Sequence, residues 1–213
     1  QASDIQNKGN HGFTFTAKIF DQAIPVKLPQ IGYCNIYNAL AALATGHSLG
    51  ITGKEMNLGL KNYQQIPQRN EQIHYEGMTL INDTYNANPQ SMREALKTLK
   101  EINTQGKRFF IIGDMLELGP LSEPAHHELG QEIAGSNVDY LVTVGPLASL
   151  AAESAKVNVQ QQLQIEKFNT HDEAANYLLQ KVKKGDCLLV KGSRGSKMEN
   201  VVQEFLKPKK QNN

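Results

Sequence analysis

From residue 73 onwards the chain keeps one rhythm: a short apolar run, a turn rich in Gly, Asp or Asn, then a helical pattern. The runs are IHY with MTLIND, then FFIIGD (109–114), YLVTVG (140–145), QIEKF (164–168) and DCLLVKG (186–192). IHY and MTLIND read as a hairpin around Glu76-Gly77, and the later runs read as strands, QIEKF a short one. Between them, Met92, Ala95, Leu96, Leu99 and Ile102 draw one apolar helix face. HELGQEIA, LASLAAESA and KMENVVQEFL read as further helices. Thr170-x-x-Glu173 is a capping box that opens another, to about Lys184. Pro89 suits a first helical turn, with Asn88 as cap and Gly106 as the stop. Strand and helix in repeated alternation with short connections specify an α/β fold with a mainly parallel sheet and helices on both faces.

The region before this rhythm differs. FTFTAKIF and AIPVKLP, within residues 13–29, read as two strands joined through Asp21-Gln22. NIYNALAALATG predicts a helix ending near Gly46, and Thr52-x-x-Glu55 caps a second one. QQIPQRNEQ (64–72) is polar and broken by Pro67, so the expected division is 1–67 and 68–213. The tail KPKKQNN reads as frayed. The first residue is Gln1 rather than Met, as in a piece of a longer protein.

Lys plus Arg total 22 against 21 for Asp plus Glu, so the balance of charge gives no general attraction to nucleic acid or anionic membrane. No run approaches the roughly 18 apolar residues of a membrane span, and residues 1–12 lack the apolar segment of a signal peptide. Cys34 and Cys187 stand far apart without metal-ligand spacing, and Cys187 reads as a small core residue. The expectation is a cytoplasmic protein with no membrane insertion, no nucleic-acid partner and no metal site of its own.

In such folds ligands bind beyond the carboxyl ends of the strands. Those ends deliver Asp83 with Thr84, Tyr85, Asn86, Ala87 and Asn88; then Gly113-Asp114 to Gly119; then Gly145-Pro146; then Lys191-Gly192-Ser193-Arg194-Gly195-Ser196. The last turn joins a strand to a helix start and carries two cations, so a phosphate or carboxylate would suit it. Equally, Gly192 and Gly195 serve a tight turn with Arg194 solvated. Asp83 at a strand end is suited to ribose hydroxyls, a cation's water or base chemistry, and also to capping its own turn. Tyr85 reads as a ligand lid or as packing against a helix. Asp114 and Glu117 have no third partner for a metal. His126 and His127, at a helix start, read as solvent-facing. ITGKEMN is not a phosphate-binding loop, because Ser48 and Glu55 stand where Gly and Ser or Thr are needed. GSRGS lacks the dinucleotide spacing.

LINDTYNANPQSM, FFIIGDMLELG and LLVKGSRGSKME, in that order, resemble the carboxyl-terminal domain of the Mur ligases. The DTYNANP and GDMLELG segments resemble the branch that joins D-Ala-D-Ala to UDP-N-acetylmuramoyl-tripeptide (UDP-MurNAc-tripeptide). GYCNIYNALAALATG is similar to the end of that family's central ATP-binding domain. The resemblance spans about residues 13–206 and implies a Rossmann-like α/β carboxyl-terminal domain, preceded by a partial segment of the central ATPase domain, in an ATP- and Mg2+-dependent amide ligase acting through an acyl phosphate. It implies that Asn35 contacts adenine, Arg69 the nucleotide near ribose and phosphates, and Asp83 the ribose. Tyr85, Asn86, Asn88 and Ser91 would line the reacting ends or take part in closure. Lys191, Ser193 and Arg194 would face the dipeptide carboxylate or phosphates. Cys34 stands in place of an expected histidine, and Gln68 in place of the glycine that usually precedes the arginine. The phosphate-binding loop, the Mg2+ ligands and the UDP-sugar domain would lie before Gln1. The chain alone is then expected not to catalyse, to hold no catalytic residue, and to expose apolar surface near its N-terminus that the other domains cover. A non-catalytic nucleotide-binding or interaction module of the same fold, a Rossmann oxidoreductase and a sister ligase remain as alternatives.

Overall fold

The computed structural model describes residues 1–157 and 163–207. The tail expected to fray lies, from Pro208 on, outside the described residues. The chain forms two compact units, residues 1–66 with 101–103, and residues 67–100 with 104–213. Among the described residues no helix is long and apolar enough to cross a membrane.

The first unit is a three-stranded antiparallel sheet with two helices. β1 (Ala2–Asn7), β2 (Phe13–Ile19) and β3 (Gln22–Leu28) lie in that order, followed by α1 (Cys34–Ser48) and α2 (Gly53–Lys61). Alternation places Phe13, Phe15, Ala17 and Ile19 on one face, where Ile24, Val26 and Leu28 meet Ile36, Ala39, Leu43 and Met56. Thr52 caps α2 reciprocally with Glu55. The Thr52 hydroxyl and then its backbone N–H hold the Glu55 carboxyl below its ordinary value. Phe20, Tyr37, Leu49 and Leu58 are exposed.

Among its described residues the second unit carries six strands in the order β4 (Glu71–Tyr75), β5 (Met78–Asp83), β9 (Cys187–Lys191), β6 (Arg108–Gly113), β7 (Tyr140–Val144) and β8 (Gln164–Phe168). Only β4, a hairpin partner of β5, is antiparallel. Its turn has positive φ at both Glu76 (47°) and Gly77 (80°), the twist that two-residue hairpins favour. The helices are α3 (Pro89–Glu101), α4 (Ser122–Ala134), α5 (Pro146–Val157), α6 (His171–Lys181) and α7 (Glu199–Leu206).

The order of the strands fixes which face each helix covers. From β5 to β6, β7 and β8 the chain moves one way across the sheet, and right-handed crossovers put α3, α4 and α5 on one face. Arg93 of α3 pairs with Glu128 and Glu132 of α4, α4 packs on α5, and α5 lies on β6 and β7. The return to β9, between β5 and β6, puts α6 on the opposite face. There Ala174, Leu178, Val201, Val202 and Phe205 of α6 and α7 bury Leu80, Ile111, Val142, Leu188 and Val190. The helix after β5 and the helix after β9 therefore leave the sheet on opposite faces. This is the switch point at which open α/β sheets form a crevice at the carboxyl edge.

Cys187 is wholly buried, and burial pushes its thiol up to about 12, while Cys34 is exposed. At about pH 8 the Cys187 thiolate is absent and unreachable. A disulfide reagent is expected to react rapidly with Cys34 alone, with Cys187 following only on unfolding. Two fast thiols per chain would contradict this packing.

Candidate functional site

Residues at the carboxyl ends of β5, β6 and β9 meet in the second unit. Asp83 and Lys191 end their strands as register partners, so their side chains leave the same face. Lys191 Nζ donates to Asp83 Oδ2 at 2.6 Å and to the Asn86 carbonyl at 2.9 Å. The Lys191 side chain is 3% exposed and that of Asp83 13%. A buried ammonium is tolerated only when paired and hydrogen-bonded, and both conditions are met here. Asp83 Oδ1 also accepts the Asn70 N–H at 3.1 Å.

Ser193 joins the three turns. Its N–H donates to the Asp114 carbonyl, its hydroxyl donates to the Ala87 carbonyl at 3.0 Å, and its Oγ accepts the Leu116 N–H at 2.9 Å. Gly192 is a close-approach glycine. A Cβ there would lie 2.6 Å from Met198 Cγ, and one at the neighbouring Gly113 would meet the same atom at 2.6 Å. The ends of β6 and β9 therefore lie directly on the Met198 side chain. Asn86 Oδ1 accepts the Ala87 N–H and, at 3.3 Å, the Arg194 N–H.

An exposed layer lies around Tyr85, which is 45% exposed. The Arg69 guanidinium sits 3.9 Å from the ring centroid and that of Arg194 5.8 Å. Arg194 also donates to Gln68 Oε1 at 2.9 Å and faces Glu199 at 3.6 Å. Gln68, Arg69 and Asn70 are shaped by left-handed backbone at Gln68 (φ 63°) and Asn70 (φ 49°). A glycine fits the Gln68 position for this reason. Here the Gln68 carbonyl accepts the Tyr85 N–H and its side chain holds Arg194.

Other sequence candidates have structural partners. Asn88 and Ser91 cap α3 reciprocally: Ser91 N–H donates to Asn88 Oδ1 at 2.8 Å and Asn88 N–H to Ser91 Oγ at 3.0 Å. Asn35, in the first unit, donates to the Ile31 carbonyl and accepts from Asn38. Asp114 accepts the Ala148 N–H at 2.7 Å, so the N-terminus of α5 is met by a carboxylate of the protein itself. The expectation of a solvent-facing His126 is corrected. The ring is fully buried, bonded through Nδ1 to the Ser122 carbonyl and accepting the Met115 N–H at Nε2. Among the described residues no group of three or more His, Cys, Asp and Glu is placed to hold a metal. Gln68 entered the sequence reading only as standing in place of a glycine, itself a sign of left-handed backbone, and Asn70 was not a candidate because a polar residue after an arginine carries no such signal.

Replacing Ser193 by Ala would leave the buried Ala87 carbonyl and Leu116 N–H without their partner. The expected cost is about 1–3 kcal/mol of stability, read by denaturant unfolding. A change within a few tenths would mean that Ser193 does not join the turns.

Known proteins place this geometry in a family. The sequence pattern described as "Mur ligase, glutamate ligase domain" matches residues 68–194. A curated UDP-N-acetylmuramoyl-tripeptide–D-alanyl-D-alanine ligase from Bacillus subtilis is 32% identical over 97% of this chain and 44% of its own length. The Escherichia coli protein of that name is 34% identical over 91% of this chain and 42% of its own. A crystal structure of MurF from Acinetobacter baumannii superposes with a TM-score of 0.86 at 31% identity, covering 97% of this chain and 45% of that one. MurF from Thermotoga maritima, solved in complex with ADP, gives 0.79 at 26% identity, covering 96% and 45%. The chain thus spans under half the length of the curated relatives it matches. With an α/β sheet of this topology and the family's pattern across its carboxyl-edge turns, the chain belongs to the Mur ligase family.

Proposed function

We propose that this chain is part of a cytoplasmic ATP-dependent ligase that joins D-Ala-D-Ala to UDP-MurNAc-tripeptide in peptidoglycan precursor synthesis. The observation that carries this reading is the carboxyl-edge cluster around Asp83, in a family member whose curated relatives bear that ligase's name along 97% of this chain. On this reading residues 1–67 are the tail of the central ATP-binding domain and residues 68–213 the carboxyl-terminal domain. The phosphate-binding loop, the Mg2+ ligands and the UDP-sugar domain belong to other parts of the whole protein.

The chemistry follows from the substrates. The tripeptide's terminal carboxylate attacks the γ-phosphorus of ATP, ADP leaves, and the carboxylate has become an acyl phosphate. The amine of D-Ala-D-Ala then adds to the acyl carbon. The tetrahedral intermediate expels phosphate, the nitrogen loses a proton, and an amide remains. Holding the amine near the acyl carbon away from water supplies much of the rate and prevents hydrolysis.

Asp83 is suited to the ribose. An ionised carboxylate offers about four acceptor positions, and among the described residues one donor meets each oxygen of Asp83, so capacity is left for sugar hydroxyls. Arg69 would serve the nucleotide's phosphates, and Asn35 the adenine. Arg194 is the exposed cation for the dipeptide carboxylate or a phosphate. Tyr85 and Asn86 shape its surroundings, while Asn88 and Ser91 act by holding the start of α3.

The test follows phosphate release by the whole protein with ATP, Mg2+ and UDP-MurNAc-tripeptide, with and without D-Ala-D-Ala. Release is expected to require the dipeptide, and Asp83→Ala is expected to lower kcat/KM for ATP by about tenfold or more. Release independent of the dipeptide, or none, would count against this ligase and favour a nucleotide-binding module.

A further inference from the structure

Lys191 looks, from sequence, like a cation waiting for an anionic ligand. The geometry gives it another task. Its side chain is 3% exposed, and two of the three donors of its ammonium are committed to Asp83 and to the Asn86 carbonyl. Exposed cations of the same edge include Arg69 and Arg194, which lie against Tyr85, and Lys197 in the turn after β9. A ligand anion would meet those first.

We infer that Lys191 is a positioning residue: it orients the Asp83 carboxylate for the ribose and ties the Asn86 turn to it, without touching the nucleotide or the dipeptide. This rests on the reading of Asp83 as the ribose acceptor. Lys191 Nζ holds Oδ2 from one side and the Asn70 N–H holds Oδ1 from another. The two bonds fix the plane of the carboxylate, and with it the direction in which its remaining lone pairs face. The bond to Asn86 carries the same constraint into the turn that contains Tyr85.

The experiment compares ATP with 2′,3′-dideoxy-ATP in the whole ligase. It uses the wild type, Lys191→Met, Lys191→Arg, Asp83→Asn and the double variant. A residue acting through Asp83 affects only the nucleotide that has ribose hydroxyls. Lys191→Met is therefore expected to raise KM for ATP about tenfold or more, the scale of a hydrogen bond to a charged group. KM for dideoxy-ATP and for D-Ala-D-Ala should stay within about twofold. Lys191→Arg, which keeps the charge and a donor, should recover part of the ATP effect. In the Asp83→Asn background the lysine substitution should add nothing further.

A Lys191→Met variant that raises KM for both nucleotides equally would identify a phosphate contact. One that raises KM for the dipeptide would identify a carboxylate contact. Either overturns the inference while leaving the ribose reading intact. Asp83→Asn with unchanged discrimination between the two nucleotides would instead remove the ribose reading, and this inference with it. If the single variants fail to fold because each leaves one buried charge unpaired, the double variant removes both charges. There the inference expects lost nucleotide discrimination with an unchanged KM for the dipeptide, and a raised dipeptide KM overturns it.

Discussion

A lysine that ends a central strand has to be answered by the strand beside it. Lys191 lies between β5 and β6, covered by helices on either face, where water does not compensate its charge. Parallel register brings Asp83 level with it, and the first turn after β5 offers the Asn86 carbonyl. Removing either charge would strand the other, so the pair ties the conformation of the β5–α3 turn to that of β9. The pair exists because β9 returns between β5 and β6. Had the chain continued outward from β8, the carboxylate and the ammonium would lie on strands that never meet.

The same reversal explains why the polar groups gather there. Helices that leave on opposite faces open the sheet edge between them, and the turns after β5, β6 and β9 bend around that opening. Ser193 closes the arrangement with three hydrogen bonds to the other two turns, and the glycine pair lets β6 and β9 lie on Met198. The base of the site is thus built from backbone groups fixed at both ends. Such a base holds a carboxylate in one orientation, which a solvated side chain on a loop does not.

Most of the architecture was legible in the chain itself. The apolar runs within MTLIND, FFIIGD, YLVTVG and DCLLVKG became β5, β6, β7 and β9, and the capping boxes at Thr52 and Thr170 start α2 and α6. The failures have physical causes. β1 is a polar edge strand that pairs, among the described residues, with β2, so no burial pattern marks it. The last helix starts at Glu199 rather than Lys197, because a 3-10 turn at Arg194–Ser196 ends in left-handed backbone at Lys197. His126 is buried because the Ser122 carbonyl and the Met115 N–H satisfy both ring nitrogens, and neither partner is visible as a motif. The strand-end candidates were readable from position. Which of them are buried and which exposed was not, since that depends on contacts more than a hundred residues apart, such as Lys191 with Asp83.

That division between buried and exposed groups separates two kinds of work. Lys191 and Ser193 are buried, Asp83 is partly so, and all three are held by hydrogen bonds, so shifting any of them leaves an unsatisfied group. Arg69 and Arg194 rest on an exposed ring, and an exposed cation–π contact is worth only about 0.5–1 kcal/mol. A charged hydrogen bond to an arriving phosphate or carboxylate exceeds that. The guanidiniums can leave Tyr85 for a ligand at little cost, whereas the carboxylate beneath them stays in place. On the proposed reading, orientation resides in the buried groups and capture in the exposed ones. Left-handed backbone on each side of Arg69 accompanies a side chain that rests on Tyr85 and stays exposed, as the proposed exchange with a ligand requires.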